Sequence, residues 1–179
     1  MLDREQRNTL LQVAREAVEA AAKNMPYAPS FDDPVLQRHG AAFVTLRKRD
    51  QLRGCIGTVT AKEPLLQNVA KMARAAARED PRFDRLHLTE LPDISVEISI
   101  LSPSRRLTDV NEIEVGKHGL IIEQGANRGL LLPQVPVEWG WDREQFLDHT
   151  CLKAGLPKDS WRRGAEIHAF TAEVFGEEE

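Results

Sequence analysis

The sequence predicts an α+β fold in which helices flank a largely antiparallel sheet. Segments with helical and strand periodicity follow one another in the order helix, hairpin, helix, strand, hairpin, helix, strand. Two pairs of strand-like segments are joined by polar turns, and such hairpins produce antiparallel neighbours. The chain has neither an internal repeat nor a glycine-rich nucleotide-binding motif, so a doubly wound parallel sheet fits it less well. With no clear linker, residues 1–179 are predicted to form one domain.

The first helix is predicted over residues 3–23. Asp3 and Gln6 have the spacing of a capping box, in which each side chain satisfies a backbone amide of the first turn. Pro26 and Pro29 then predict that the helix ends before a long irregular connection. Apolar residues at helical spacing form the stripe that we expect to be buried, and they are Leu10, Val13, Ala14, Ala17, Val18 and Ala21.

A hairpin and a second helix follow. Strand-like residues 42–46 and 52–58 flank a polar turn at 47–51, whose basic cluster we interpret as a solvated tip. The helix is predicted over residues 63–78, with Pro64 in its first turn. Because the second strand ends just before this helix, one possible arrangement directs the helix N-terminus toward whatever Cys55 faces.

The second half of the chain predicts four more strands and a third helix. Residues 94–100 alternate between aliphatic and polar side chains, as a strand with one buried face does. The other predicted elements are a hairpin at 119–124 and 129–132, a helix from Asp142 to Gly155 and a strand at 166–175 before an acidic tail. Asp142 has Gln145 as its capping partner, and Gly155 suits the left-handed position that ends a helix. Cys151 lies on the inward stripe of this helix, so we interpret it as a small buried hydrophobe.

Composition excludes several classes of protein. Of the 179 residues 41% are hydrophobic and 29% are charged, which argues against disorder. The net charge of −4 argues against nucleic-acid binding, and no apolar run has the length of a membrane span. The polar N-terminus does not resemble a secretory signal, and two cysteines far apart fit a reducing compartment. We therefore expect a cytoplasmic protein with no membrane and no nucleic-acid partner.

The segment at 52–58 is the strongest candidate for a functional site. In a regular strand Arg53 and Cys55 share a face, and a nearby cation favours the reactive thiolate. Gly54 and Gly57 weaken a strand, so we expect something to approach the backbone beside Cys55. The alternative is that Cys55 is a buried and inert thiol.

Other candidate residues each have a functional and a structural interpretation. His118, in a glycine-flanked turn, is either a base for Cys55 or an exposed surface histidine. Glu97 serves in acid–base chemistry or forms a structural salt bridge with Arg53 or Arg82. The segment at 80–83 either contributes to a functional site or simply caps the second helix and turns the chain after it.

Two tryptophans and two prolines surround Gln134 and Glu138 at positions 133–142. Such a segment forms either a hydrophobic lobe or a binding pocket with few polar groups. The remaining histidines lack the spacing of metal ligands, so the sequence predicts no metal and no cofactor, although a pairing of Cys55 with His118 would suit a soft metal.

Six segments together resemble the AMMECR domain family: LRGCIGT at 52–58, DPRF at 80–83, SVEISILSP at 95–103, GKHGL at 116–120, LLPQVPVEWGWD at 131–142 and CLKAGL at 151–156. The chain is similar in length to the prokaryotic form, which is named for the gene association of an AMMECR protein with a Memo-type protein and a radical SAM enzyme (the AmmeMemoRadiSam system). The resemblance implies a compact two-lobed fold, a cleft between the lobes near the RGCIG stretch, and an unassigned activity. Pro136 stands where the family often has a small residue, so the resemblance implies less about the backbone there.

The residues that the resemblance carries over are Arg53, Gly54, Cys55, Ile56, Gly57, Asp80, Arg82, Phe83, Glu97, His118, Gln134 and Glu138. Our first hypothesis is a binding module for a small ligand or for a partner such as a Memo-type protein or a radical SAM enzyme. Its predicted ligand-binding residues are Arg53, Gly54, Gly57, Asp80, Arg82, Phe83, Gln134 and Glu138. The alternative is a cysteine-dependent enzyme with Cys55 as nucleophile or redox thiol, His118 as base, and Glu97 orienting Arg53.

Overall fold

The computed structural model describes residues 1–177, so the last two residues of the predicted acidic tail lie outside it. The helices are α1 (Arg4–Ala22), α2 (Leu65–Arg78), α3 (Gln134–Trp139) and α4 (Arg143–Lys153). The strands are β1 (Ala41–Lys48), β2 (Gln51–Gly57), β3 (Ile94–Leu101), β4 (Arg105–Arg106), β5 (His118–Gln124), β6 (Asn127–Leu131) and β7 (Glu166–Gly176). Strand pairings in both halves are antiparallel, which confirms the predicted α+β class.

The chain divides into two compact units. Within the described residues, the first consists of 1–101 with 173–177, and the second of Ser102–Ala172. Strand β7 therefore begins in the second unit and ends in the first. In the first unit its end is held by contacts far apart in sequence, because Arg7 pairs with Glu173 and the amide of Glu177 donates to the carbonyl of Val96.

In the first unit β1 lies between β2 and β3, and one face of this sheet is the core. Val44 lies opposite Ile56 on β2 and opposite Ile98 on β3, so the three side chains point the same way and contribute to one apolar cluster. Helices α1 and α2 contribute their apolar residues to the same cluster. The predicted stripe of α1 is buried at every position, and the capping box of Asp3 and Gln6 is present.

The hairpin turn is shorter than predicted. Strands β1 and β2 continue to Lys48 and from Gln51, which leaves only Arg49 and Asp50 in the turn. Both turn residues have positive φ angles, 49° and 66°, as the tight turn of a two-residue hairpin requires. Lys48 belongs to strand β1, where it lies opposite Gln51 and Ile94, and its ammonium group pairs with Glu90, so the basic cluster is not merely a solvated tip.

In the second unit β7 lies between β4 and β5, and β6 pairs with the other side of β5. Helix α4 covers this sheet with Phe146, Leu147 and Cys151, which are fully buried, and this confirms Cys151 as a core residue. The capping box of Asp142 and Gln145 is also present. Gly155 has the predicted left-handed conformation, with φ of 76°.

Helix α3 and strand β4 were missed by the sequence prediction. Pro133 precedes α3 and Pro136 lies in its first turn, where a missing amide costs no helical hydrogen bond. Gly140 ends the helix in a left-handed conformation. Strand β4 has two residues, too few to show a periodic pattern.

None of the helices in the described part of the chain has the length and apolar character to cross a membrane.

Candidate functional site

The candidate site starts from a row of three side chains on the sheet of the first unit. Thr45 on the central strand lies opposite Cys55 on β2 and opposite Glu97 on β3. Directly opposed residues of antiparallel strands project from the same face, and here that face is the one opposite Val44. The hydroxyl of Thr45 donates a hydrogen bond to the Cys55 sulfur over 3.3 Å.

Asp80 connects this row to the segment that follows α2. Its buried carboxylate accepts hydrogen bonds from the backbone amide of Cys55 at 3.0 Å and of Arg82 at 3.1 Å. The guanidinium group of Arg82 donates twice more, from Nε at 3.0 Å and from Nη2 at 2.7 Å. The bonds from Arg82, together with the Cys55 amide, lower the pKa of Asp80 to about 2. Asp80 thus satisfies an outward amide of β2, the edge strand of the first unit's sheet.

Arg53 is paired with Glu90 and not with Glu97, which was one of the alternatives left open by the sequence. Its Nε and Nη2 atoms donate to the two carboxylate oxygens of Glu90 over 3.0 and 3.2 Å. Hydrogen bonds from Arg53, and further ones from His87 and Lys48, lower the pKa of Glu90 to about 2. The pairing of β1 with β2 gives the physical reason for this choice of partner. Its register shifts between Leu46 and Arg47, which leaves Arg53 as the extra residue of a β-bulge.

Arg53, Arg82 and Phe83 form what we call the arginine–phenylalanine cluster. The central guanidinium carbon of Arg53 lies 5.8 Å from the centre of the Phe83 ring, and that of Arg82 lies 5.5 Å from it. Both distances are within the range of cation–π attraction. The side chain of Arg53 is only 13% exposed, whereas that of Arg82 is 54% exposed. Arg82 is therefore the member that a ligand in solvent can reach.

The surroundings of Cys55 favour the neutral thiol. Burial, the largest effect, raises the pKa of Cys55, and the carboxylates of Asp80 and Glu97 act in the same direction. The hydrogen bond from Thr45 and the charge of Arg82 lower the pKa but do not compensate. The cation that acts on the thiol is thus Arg82 and not Arg53, and the thiol is protonated at neutral pH.

The two glycines beside Cys55 are explained by internal packing. A Cβ atom on Gly54 would lie 2.2 Å from the carbonyl oxygen of Ala76, in the last turn of α2. A Cβ atom on Gly57 would lie 2.2 Å from the ring of Phe43. The close approach predicted for this segment is therefore made by the protein itself. The approach of Gly54 to Ala76 also places the carboxyl end of α2, and not its N-terminus, beside strand β2. The suggested arrangement, in which the N-terminus of this helix is directed toward whatever Cys55 faces, is therefore wrong.

The other predicted site residues belong to the second unit. His118, at the start of β5, is buried, which overturns its interpretation as an exposed surface histidine. Its Nδ1 atom accepts a hydrogen bond from the amide of Glu114 over 3.0 Å, and burial lowers its pKa. The neutral ring then carries its proton on Nε2, so the geometry suits a hydrogen-bond donor better than a base.

Gln134 and Glu138 both lie on α3, where Glu138 is exposed. The side-chain oxygen of Gln134 is buried and accepts no hydrogen bond from the part of the chain that the structure describes. A buried acceptor without a donor is uncommon in proteins, so this oxygen is a candidate ligand contact. The predicted roles of Gln134 and Glu138 in binding a ligand stay predictions.

Two members of the site were missed by sequence reasoning. Thr45 could have been found, because pairing the two predicted strands of the hairpin brings it opposite Cys55. Glu90 gave no such signal, since it comes from a short 3-10 helix, Leu88–Asp93, in a stretch without periodicity. Neither Cys55 nor His118 belongs to a group of three metal-ligating side chains among the described residues.

Comparisons with known proteins identify the family but no activity. The AMMECR1 family model matches residues 11–175. A protein of Methanothermobacter thermautotrophicus is 43% identical over 187 residues, and the match covers 99% of this chain and 97% of that protein. The crystal structure of the uncharacterised protein PH0010 from Pyrococcus horikoshii superposes with a TM-score of 0.90 at 42% identity, covering 94% of this chain and 90% of the other. The chain belongs to the AMMECR1 family.

Proposed function

We propose that this chain is a binding module that recognises an anionic group, a carboxylate or a phosphate, through the arginine–phenylalanine cluster. The observation that carries the proposal is the state of Arg82. Its guanidinium group is fixed by the buried carboxylate of Asp80, yet about half of its side chain is exposed. An arginine that is oriented before a ligand arrives loses little entropy on binding.

The cluster retains hydrogen-bonding capacity. Arg82 and Arg53 each use Nε and Nη2 on a carboxylate, and within residues 1–177 neither donates from Nη1 to another group. The ring of Phe83 beside both groups restricts their planes. Planar, fixed donors match the geometry of carboxylates and phosphates. The exposed Arg82 is then the primary contact for the anion, and Arg53 supports it from a more buried position.

The neutral thiol of Cys55 favours binding over cysteine-dependent catalysis. A nucleophilic cysteine needs a lowered pKa, whereas burial raises the pKa of Cys55, and Asp80 and Glu90 already pair with the two nearby arginines. In the binding module Cys55 serves as a small neutral contact whose amide is fixed by Asp80. Cys55→Ser is therefore expected to leave ligand affinity almost unchanged.

The ligand is a small anion or an acidic group on a partner protein. The family resemblance supplies the candidate partners, a Memo-type protein and a radical SAM enzyme, and we propose that either is bound through the same cluster. This proposal needs no cofactor and no activated nucleophile.

The test is a titration of the full chain, labelled with nitrogen-15, with inorganic phosphate and with citrate, in which the arginine Nε–Hε signals are followed by NMR. We expect saturable shifts of the Arg82 signal and at least tenfold weaker binding in Arg82→Gln. Arg85→Gln removes the same charge from an exposed position in the same segment and is the matched control. Unfolding midpoints of both variants verify that they are folded.

The proposal is wrong if neither anion shifts the Arg82 signal and neither purified partner binds, or if Arg85→Gln weakens binding as much as Arg82→Gln. The two partner proteins are tested with the same variants by isothermal titration calorimetry. Binding of a partner but of neither small anion would assign the cluster to protein recognition.

A further inference from the structure

A separate cluster of ionisable side chains lies on the sheet of the second unit. It consists of Glu123 on β5 and of Glu166 and His168 on β7. One ligand atom from each of the three side chains lies within 4.8 Å of the other two. We propose that these side chains bind a divalent transition-metal ion of the zinc type.

The strand register explains why the three side chains meet. Glu123 lies directly opposite Glu166, and Ile121 lies directly opposite His168. Residues two apart on a strand share a face, so both carboxylates and the imidazole project from the same side of the sheet. Strand β7 is paired on both sides, with β5 and with β4, which fixes the positions of the backbone atoms that carry two of the ligands.

The donor set suits zinc and its neighbours in the first transition series. One imidazole nitrogen and two carboxylate oxygens are ordinary ligands for zinc, cobalt and nickel ions. Ligand distances of about 2.0–2.2 Å place the ligand atoms of a tetrahedral zinc site about 3.4 Å apart, so the cluster needs only side-chain rotation to close. Three protein ligands leave the fourth position to water or to a small ligand.

The charges around the cluster leave the inner ligand atoms available. Two carboxylates directly opposite each other repel unless a cation lies between or beside them. Oε1 of Glu123 pairs with Arg128 at 2.9 Å, and Oε1 of Glu166 lies 3.6 Å from Arg106. The other oxygen of Glu166, Oε2, faces Nε2 of His168 at 3.3 Å. The arginines thus hold the outer oxygens, while an oxygen and a nitrogen face each other where the ion would bind.

The three ligands are partly exposed, so an ion can enter from solvent without unfolding the sheet. The paired arginines reduce the net negative charge at the site, and they lower the affinity compared with an uncompensated pair of carboxylates. We therefore expect an affinity in the micromolar range, well below that of a closed structural zinc site.

The experiment is isothermal titration calorimetry of the full chain with zinc chloride, repeated with cobalt chloride while the visible absorption of the bound cobalt ion is recorded. We expect one ion per chain and at least tenfold weaker binding in both His168→Ala and Glu123→Gln. His39→Ala removes a histidine from an exposed position in the first unit and is the matched control, for which affinity is unchanged. Zinc is also expected to raise the unfolding midpoint of the wild type but not that of His168→Ala.

The inference is overturned if 1:1 binding is absent at millimolar zinc, or if His168→Ala retains the affinity of the wild type. Equal weakening in His168→Ala and His39→Ala would also overturn it, because it would show adventitious binding to exposed histidines. Circular dichroism of each variant establishes that the comparison is made between folded proteins.

Discussion

Replacing Asp80 with asparagine tests whether this carboxylate holds the segment after α2 against strand β2. Asparagine has nearly the same shape and keeps one oxygen that can accept from the Cys55 amide, but it carries no charge. The two bonds from the Arg82 guanidinium lose their ionic partner. The variant therefore removes the electrostatic part of the contact and leaves its packing largely intact.

The magnitude follows from the pKa of Asp80, which is lowered from the ordinary value of 3.8 to about 2. At about 1.4 kcal/mol for each pH unit, this difference corresponds to about 2 kcal/mol of stability. Because the pKa is lower in the folded protein, the contribution is complete above about pH 4 and is lost as the pH falls toward 2. We expect Asp80→Asn to reduce the free energy of unfolding at pH 7 by about 2 kcal/mol.

The assay is urea-induced unfolding followed by circular dichroism at pH 7 and at several values between pH 5 and pH 2.5. The difference between wild type and Asp80→Asn is expected to shrink over the acidic range, because Glu90 titrates in both proteins and only Asp80 distinguishes them. Glu79→Gln removes a charge from the exposed preceding residue and should change stability by less than about 0.5 kcal/mol. A constant difference between pH 7 and pH 2.5 would refute the reasoning.

Three further predictions concern strand β2 and the environment of the Cys55 thiol. Gly54→Ala introduces a methyl group 2.2 Å from a carbonyl oxygen and should lower the free energy of unfolding, measured in urea, by at least about 2 kcal/mol. Gly176→Ala, whose nearest contact is an ordinary 3.4 Å, should cost much less, and equal losses would contradict the packing argument. Alkylation of Cys55 by iodoacetamide, followed by peptide mass spectrometry, should accelerate with pH through 9, since burial raises its pKa above 9.0; a plateau below pH 8 would instead indicate an activated thiol. Thr45→Val removes the hydrogen bond that lowers this pKa and should slow alkylation at pH 9 by roughly threefold, whereas a faster rate would show that the hydroxyl merely shields the sulfur.

Sequence reasoning succeeded where the signal is local. The capping boxes at Asp3 and Asp142 and the buried stripe of α1 depend on residues within one or two turns of each other, so their spacing is sufficient to find them. The burial of Cys151 follows from the same helical period. The left-handed Gly155 likewise reflects a rule for helix ends that acts over a few residues.

The candidate site could be predicted only in part, because its geometry depends on how strands pair. The strand alternation predicted a common face for Arg53 and Cys55, but a bulge set by the pairing with β1 makes Arg53 the extra residue. The partner of Arg53, Glu90, lies in a segment whose position is fixed only in the folded protein. In the same way, Glu123 and His168 are far apart in the sequence and are joined only by the register of β5 and β7.

The return of β7 to the first unit has a consequence for the order in which the protein matures during synthesis. Residues 1–101 leave the ribosome first. Arg7 and Arg15 form their ion pairs with Glu173 and Glu177 only later, because both glutamates are synthesised after the whole second unit. A nascent chain that stops at residue 101 thus lacks the ion pairs that close the first unit. Both units become complete at nearly the same moment, when the last strand is released.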